Sequence, residues 1–213
     1  MPANYWGWRM LSNMNVEVIR SFIAIELPAE LKADLTGLQD SLKTNRQDWM
    51  KWVSPNSIHL TLKFLGDITT DKIAEIIMAM EESSEGIPPF GLEMKGLGIF
   101  PNMKRIQVVW VGLTGELNSL KTLQENIENN LAILGYPAEG REFTPHLTLG
   151  RVRFNIPPAE QQKFVELLNR TNFASIHKIG VNSINLMKSE LTPRGAIYTR
   201  IGIVPLKFII PKT

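Results

Sequence analysis

The chain of 213 residues contains no cysteine. That excludes a disulfide framework, thiolate catalysis and any cysteine-ligated zinc site. It also suits a reducing compartment, so a cytoplasmic protein is expected. Histidine is scarce, with three copies. No apolar run approaches the ~20 residues needed to cross a bilayer, so no membrane association is expected. An excess of one charge is missing: 23 Lys+Arg stand against 21 Asp+Glu, a formal net charge of +2. Bulk electrostatics therefore does not announce a nucleic-acid binder, and any anion site has to be local. No low-complexity segment and no long linker interrupts the chain. Its length fits one large domain, or two small lobes sharing a core.

What the chain does have is one tetrapeptide written twice. Residues 59–62 and residues 146–149 both read His-Leu-Thr-Leu, so two of the three histidines sit in the repeats. Each stretch alternates polar and apolar, the period of a half-buried strand. Residues i and i+2 of a strand share a face. His59 and Thr61 therefore point one way and Leu60 and Leu62 the other, and His146 and Thr148 repeat the arrangement. Two such strands side by side make a pocket with two imidazoles and two hydroxyls, groups suited to acid–base chemistry on a phosphate. A single histidine on a strand is ordinarily structural or solvated; the same His and Thr at the same offset twice point to a paired site.

The remaining elements follow from local pattern. Residues 17–26 are rich in Val, Ile and Phe and read as a strand. Leu31, Leu35, Leu38 and Leu42 mark one face of a helix opened by Pro28. Thr69, Thr70 and Asp71 supply N-cap chemistry for a helix with Ile73, Ile76, Ile77 and Met80 on its face. A strand is expected over 90–94. Gly96, Gly98, Pro101 and Asn102 then mark a long turn, and the strand 105–113 is the most β-like run. A long helix carries Leu117, Leu120, Ile127, Leu131 and Leu134 and closes at Gly135. Pro157 and Pro158 open another, with Phe164, Leu167 and Leu168 on its face, and strands over 173–181, 184–189 and 196–204 finish the chain. The second half, from Arg105, repeats the plan of the first, with the two motif histidines 146 − 59 = 87 residues apart. The expected fold is α+β: a bilobal duplicated unit, mainly antiparallel sheets forming a central cleft, helices packed outside. Residues 1–18, with Tyr5, Trp6 and Trp8 among polar residues, read as an extension and not as a signal peptide. Residues 19–213 read as one bilobal domain.

These blocks resemble the two-histidine (2H) phosphoesterase superfamily, whose signature is a pair of His-x-Thr-x motifs. The branch they resemble is the RNA 2',3'-cyclic phosphodiesterase family, also called 2'-5' RNA ligase or LigT-like. Three stretches carry the likeness: Arg20 to Pro28, the run from Trp52 through His59-Leu60-Thr61-Leu62-Lys63-Phe64-Leu65-Gly66, and Phe143 to Arg151. The resemblance spans roughly residues 20–203. It implies a basic cleft and cofactor-free, metal-independent hydrolysis of RNA 2',3'-cyclic phosphate ends, or of cyclic nucleotides, to 2'-phosphates. It also implies the reverse joining of ends through a 2'-5' bond. By position it makes His59 the proton donor and His146 the proton acceptor, with Thr61, Thr148 and Arg151 at the substrate. A monomer is expected.

The chemistry matches the residues. Opening a strained cyclic diester needs a base for water and an acid for the departing ribose oxygen, and imidazole serves either role near neutrality. Thr61 and Thr148 are spaced to bond phosphoryl oxygens, where positioning and charge stabilisation carry phosphoryl transfer. Arg151 is odd-numbered where His146 and Thr148 are even, so strict alternation turns it to the other face unless the strand bends at Gly150. Lys63, Arg141 and Arg153 are further nearby cations, and Phe64, Phe100, Trp110 and Tyr198 are candidate stacking surfaces for a base. His177 has no partner motif and reads as a surface or strand residue. A three-histidine zinc site leaves the paired threonines without a role. The competing readings are a 2'-5' RNA ligase using the same site and a non-catalytic RNA-binding module. The second does not explain two imidazoles.

Overall fold

The computed structural model describes residues 16–44, 47–193 and 195–207. The expected extension lies largely outside them. Among the described residues there are four α-helices and nine strands, and the strands build two antiparallel sheets. In chain order these are β1 (Val18–Glu26), α1 (Ala29–Leu42), β2 (Met50–Trp52), β3 (His59–Thr69), α2 (Ile73–Ser84), β4 (Phe90–Asn102) and β5 (Arg105–Gly115). After them come α3 (Leu117–Ile133), β6 (His146–Val152), α4 (Pro158–Arg170), β7 (Ala174–Val181), β8 (Ser183–Thr192) and β9 (Gly195–Pro205).

The first sheet has the order β3-β1-β8-β9 and the second β2-β6-β5-β4-β7. Each half of the chain thus lends strands to the other half's sheet: β8 and β9 extend β1, and β4 and β2 flank β5 and β6. The two motif strands are not neighbours in one sheet. β3 forms an edge of the first sheet and β6 lies inside the second, and they approach each other at the seam between the sheets.

One contiguous apolar core runs under both sheets. It takes Ile23, Ile25, Leu60 and Leu62 from the first sheet and Val109, Val111, Leu147 and Leu149 from the second. The helices close it with most of their expected faces: Leu31, Leu35, Leu38 and Leu42 of α1, Ile76 and Met80 of α2, Leu120, Ile127 and Leu131 of α3, and Phe164 and Leu168 of α4 are buried. Leu117 and Leu134 at the ends of α3 are exposed, and Leu123 joins the buried face instead. Each motif leucine pair is therefore an anchor, with burial of a leucine side chain contributing about 2 kcal/mol. A second, small cluster of Phe22, Ala24 and Met187, with Tyr198 against it, lies apart from this core.

Three local expectations change. Thr69 to Asp71 do not cap α2: its N-cap is Lys72, without a side-chain cap bond, after a 3-10 turn over Thr70–Lys72, and the Thr70 hydroxyl accepts the Glu17 amide instead. The long turn expected at 96–102 is strand. β4 runs through it to Asn102, bulged near Gly96, because β5 supplies partners up to Arg105. Gly98 is required there: a Cβ would stand 2.1 Å from the Trp110 ring. The strand β2 arises where only a pair of tryptophans was legible.

Candidate active site

The first motif strand pairs with β1 and the second with β5, and both ladders slip at the same place. In β3, Thr61 faces Ala24 and Lys63 faces Ile23, so Leu62 is the extra residue of a bulge. In β6, Thr148 faces Trp110 and Gly150 faces Val109, so Leu149 is the extra residue. A bulge reverses the parity of the residues beyond it. Phe64 therefore shares a face with His59 and Thr61, and Arg151 with His146 and Thr148, although both sit at an odd offset from their histidine. The alternation argument that turned Arg151 away is corrected by this bulge.

A cleft of about 360 Å³ results, lined by His59, Thr61 and Phe64 on one wall and His146, Thr148 and Arg151 on the other. All five sequence-derived site residues are thus brought together. Arg20, Ser21 and Phe22 of β1, Ser189 and Leu191 of β8 and Tyr198 of β9 add to the lining, with Val53, Ser57 and Ile58 from the approach to the first motif. Of these, Tyr198 is a candidate stacking surface in the sequence and Arg20, Ser21 and Phe22 lie in a stretch that carries the family likeness, while Ser189 and Leu191 arrive through strand pairing between distant segments.

Two linkages fix one wall against the other. β2, just ahead of the first motif, pairs with β6, opposing Trp52 to Gly150 and Met50 to Val152. The buried Gln39 amide of α1 donates to the carbonyls of Val53 (2.7 Å) and Leu149 (2.9 Å), joining the approach to the first motif to the second. In return, Lys63 turns away from the cleft. Its ammonium is buried against Glu128 of α3 (2.5 Å) and donates to the Pro137 carbonyl (2.8 Å), on the segment leading to the second motif. Arg141 and Arg153 do not line the cleft either.

The imidazoles are held alike. Nδ1 of His59 lies 3.0 Å from the Ser57 carbonyl, and Nδ1 of His146 lies 2.7 Å from the Thr144 carbonyl. A carbonyl only accepts, so each Nδ1 carries the proton and each Nε2 is left for the cleft. Aromatic rings set the planes. Phe22 stacks on His59 at 4.6 Å and Tyr198 meets its ring edge-on at 4.9 Å; Phe100 meets His146 edge-on at 4.9 Å. Phe100 and Trp110 pack on each other and on His146, which makes them a support for the imidazole.

Burial disfavours the charged form of both rings. It holds His59 well below the ordinary 6.5, at about 4, against the pull of the Ser57 carbonyl and helped by the Arg151 charge. Burial lowers His146 as well, the Thr144 carbonyl opposing and Arg151 again contributing. The charge of Arg151 is thus felt by both imidazoles. The third histidine lies elsewhere: His177 on β7 binds Asp34 of α1 through Nδ1 at 3.0 Å, and Ser175 binds the same carboxylate.

Among the described residues, no three His, Cys, Asp or Glu side chains gather as a metal centre would need, and no helix is long and apolar enough to cross a membrane. Comparison with known proteins now gives the arrangement its relatives. The LigT like Phosphoesterase family matches residues 25–110 and again 111–198, one match for each half. The RNA 2',3'-cyclic phosphodiesterase of Methanothermobacter thermautotrophicus is 33% identical over 188 residues, 88% of this chain and 99% of that protein. The RNA 2',3'-cyclic phosphodiesterase of Aquifex aeolicus is 37% identical over 150 residues, 70% and 78% of the two chains. The crystal structure of TT0787 of Thermus thermophilus superposes with a TM-score of 0.71 at 25% identity, covering 89% of this chain and 98% of that one. The double motif, the strand exchange and the double family match have one reading: this chain belongs to the LigT-like phosphoesterase family.

Proposed function

We propose that the protein hydrolyses RNA 2',3'-cyclic phosphate ends to 2'-phosphate ends, without a metal ion, by means of its two histidines. The observation that carries this is the matched pair of bulged His-x-Thr strands, which present two Nε2 atoms, two hydroxyls and one guanidinium to one cleft. The names of the two relatives above support this substrate class.

In this mechanism His146 takes a proton from water through Nε2 as the water oxygen bonds to phosphorus. The bond from phosphorus to the ribose 3'-oxygen breaks, and His59 protonates that oxygen through Nε2. The products are a 3'-hydroxyl and a 2'-phosphate, and proton exchange with solvent resets the pair. Thr61, Thr148 and Arg151 hold the phosphoryl oxygens and stabilise the charge that builds on them. Phe64, 57% exposed at the cleft, gives the base a surface to stack on.

The direction of proton flow has an electrostatic condition. His59, the assigned donor, is the harder ring to protonate in the free protein, so the donor state depends on the substrate. A phosphodiester anion between the rings raises both pKa values, so the donor form of His59 forms with substrate in the cleft. The test is RNA ending in a 2',3'-cyclic phosphate, incubated with EDTA, with the product ends identified. Retained turnover to 2'-phosphate ends is expected. Activity abolished by EDTA and restored by zinc would overturn metal independence.

A further inference from the structure

The cleft has a basic neighbour that the chemistry leaves unused. Beyond Arg151 the chain continues past Val152 to Arg153, whose amide still bonds the Trp49 carbonyl at 2.8 Å. Two residues of extended chain carry the backbone about 7 Å from the cleft cation. There a second groove opens between the β4–β5 turn, the end of β6 and the start of α4. Lys104, Arg105 and Arg153 line it, with Gln107, Asn155 and Phe154. It contains no carboxylate, and Glu160 on α4 faces Lys163 instead, at 3.6 Å. Among the described residues, none of the three cations has an acidic partner within ion-pairing distance. Phe154 is 56% exposed beside them.

The turn that carries two of these cations is held in shape. Asn102 accepts the amides of Lys104 (3.0 Å) and Arg105 (3.2 Å) through its side-chain oxygen. Gln161 of α4 donates to the carbonyls of Met103 (2.7 Å) and Lys104 (3.2 Å). The backbone under the charges is therefore arranged before any ligand arrives, which lowers the ordering cost of binding.

We propose that this groove binds the RNA strand on the 5' side of the cyclic phosphate, with Lys104, Arg105 and Arg153 on its phosphates and Phe154 under a base. The proposal rests on the reading of the cleft given above. A 2',3'-cyclic phosphate closes the 3' end of its strand, so only the 5' side leaves the cleft, and it leaves as a polyanion with unpaired bases. Cations without acidic neighbours and an exposed aromatic ring are what such a strand requires, and they offer no hydrogen-bond readout of sequence. The groove therefore favours longer RNA over a mononucleotide without choosing among sequences.

The experiment compares two substrates of the same terminal base: a single-stranded RNA of about ten nucleotides with a cyclic end, near the span of a single-strand binding site, and the matching cyclic mononucleotide. In the double variant Arg105→Glu, Arg153→Glu, both changed residues being exposed, mononucleotide turnover is expected to stay unchanged. RNA kcat/KM is expected to fall on the order of tenfold, mostly through KM, and the slope of log affinity against log salt to shrink by about 1 to 2. Equal losses on both substrates, or no loss on RNA, overturn the groove. Should the unaltered protein hydrolyse neither substrate, the reading of the cleft fails by itself. The groove is then decided by direct titration with labelled RNA, where equal affinity of the unaltered protein and the double variant refutes it.

Discussion

The two motif strands are the same object until the fourth residue after the histidine. From His59 to Leu65 and from His146 to Val152 their burial runs in the same order, with His and Thr half-buried, both leucines and the following residue buried, and the next residue exposed. Both bulge after the threonine. Then they diverge. The buried position after the bulge is Lys63 in one and Gly150 in the other; the exposed position is Phe64 in one and Arg151 in the other. The shared part delivers an imidazole and a hydroxyl twice, and the unlike part sets Arg151 on one wall against Phe64 on the other. A duplicated unit is symmetric, but opening a cyclic phosphate needs one acid, one base and one orientation of the nucleotide. The residues after the bulge supply that asymmetry.

The buried positions show how two unlike residues meet one demand. Lys63 crosses to Glu128 and Pro137, and so ties the first motif to the approach of the second. Gly150 lets β2 come close: a Cβ there would stand 2.8 Å from the Met50 sulfur and 3.2 Å from the Trp52 ring. One wall is joined by a long side chain and the other by the lack of one.

The largest expected effect comes from breaking the shared part. His59→Ala and His146→Ala should each lower kcat by at least ~10²-fold, the usual scale for an acid or a base. A substrate with sulfur at the 3' leaving position tells the two apart, because a thiolate departs without a proton. It should largely restore His59→Ala and leave His146→Ala slow. Rescue of His146→Ala instead would exchange the roles, and rescue of neither would make both rings phosphate holders.

The next effect concerns the unlike part. Arg151→Ala should lower kcat/KM by about 10²-fold, the scale of removing a preorganised donor to the developing charge. Phe64→Ala should raise KM by about tenfold with kcat little changed, since stacking of a base is worth on the order of 1–3 kcal/mol. Phe64 is exposed, so the fold is expected to survive. Matching losses in kcat for the two variants would deny that the walls differ in task.

Much of this was legible in the sequence, and what was missed has a common cause. The motif strands, the helix faces and the duplication are local periodicities. The bulges are not: nothing in His-Leu-Thr-Leu announces that the second leucine is unpaired, so parity placed Arg151 on the wrong face. The signal available was comparative, since Phe64 and Arg151 stand at the same offset from their histidines. β2 is three residues long and exists only because β6 is beside it. The strand through Gly96, Gly98 and Pro101 carries turn residues and is strand because β5 pairs with it and Trp110 needs the space. Phe22, which sets the plane of His59, looked like any core residue of β1.

The smallest expected effect, and the one that sharpens the comparison of the two rings, is on stability in acid. His59 titrates at about 4 in the folded protein and near 6.5 when unfolded. Between those values the unfolded chain binds the extra proton, so the stability conferred by a neutral buried imidazole is complete above pH 6.5. It is lost as pH falls toward 4. The loss attributable to His59 approaches about 3 kcal/mol at the acid end. His59→Gln removes this titration, so its urea midpoint should fall less than that of the unaltered protein between pH 7 and pH 4.5. His146→Gln should reduce the fall too, but by less, because its ring is lowered by less. Phosphate bound in the cleft favours the charged rings and should blunt the acid loss in the unaltered protein more than in either variant. Parallel curves for the unaltered protein and His59→Gln would mean that the first imidazole is no more enclosed than an ordinary surface histidine, and the electrostatic contrast between the walls would then rest on Phe64 and Arg151 alone.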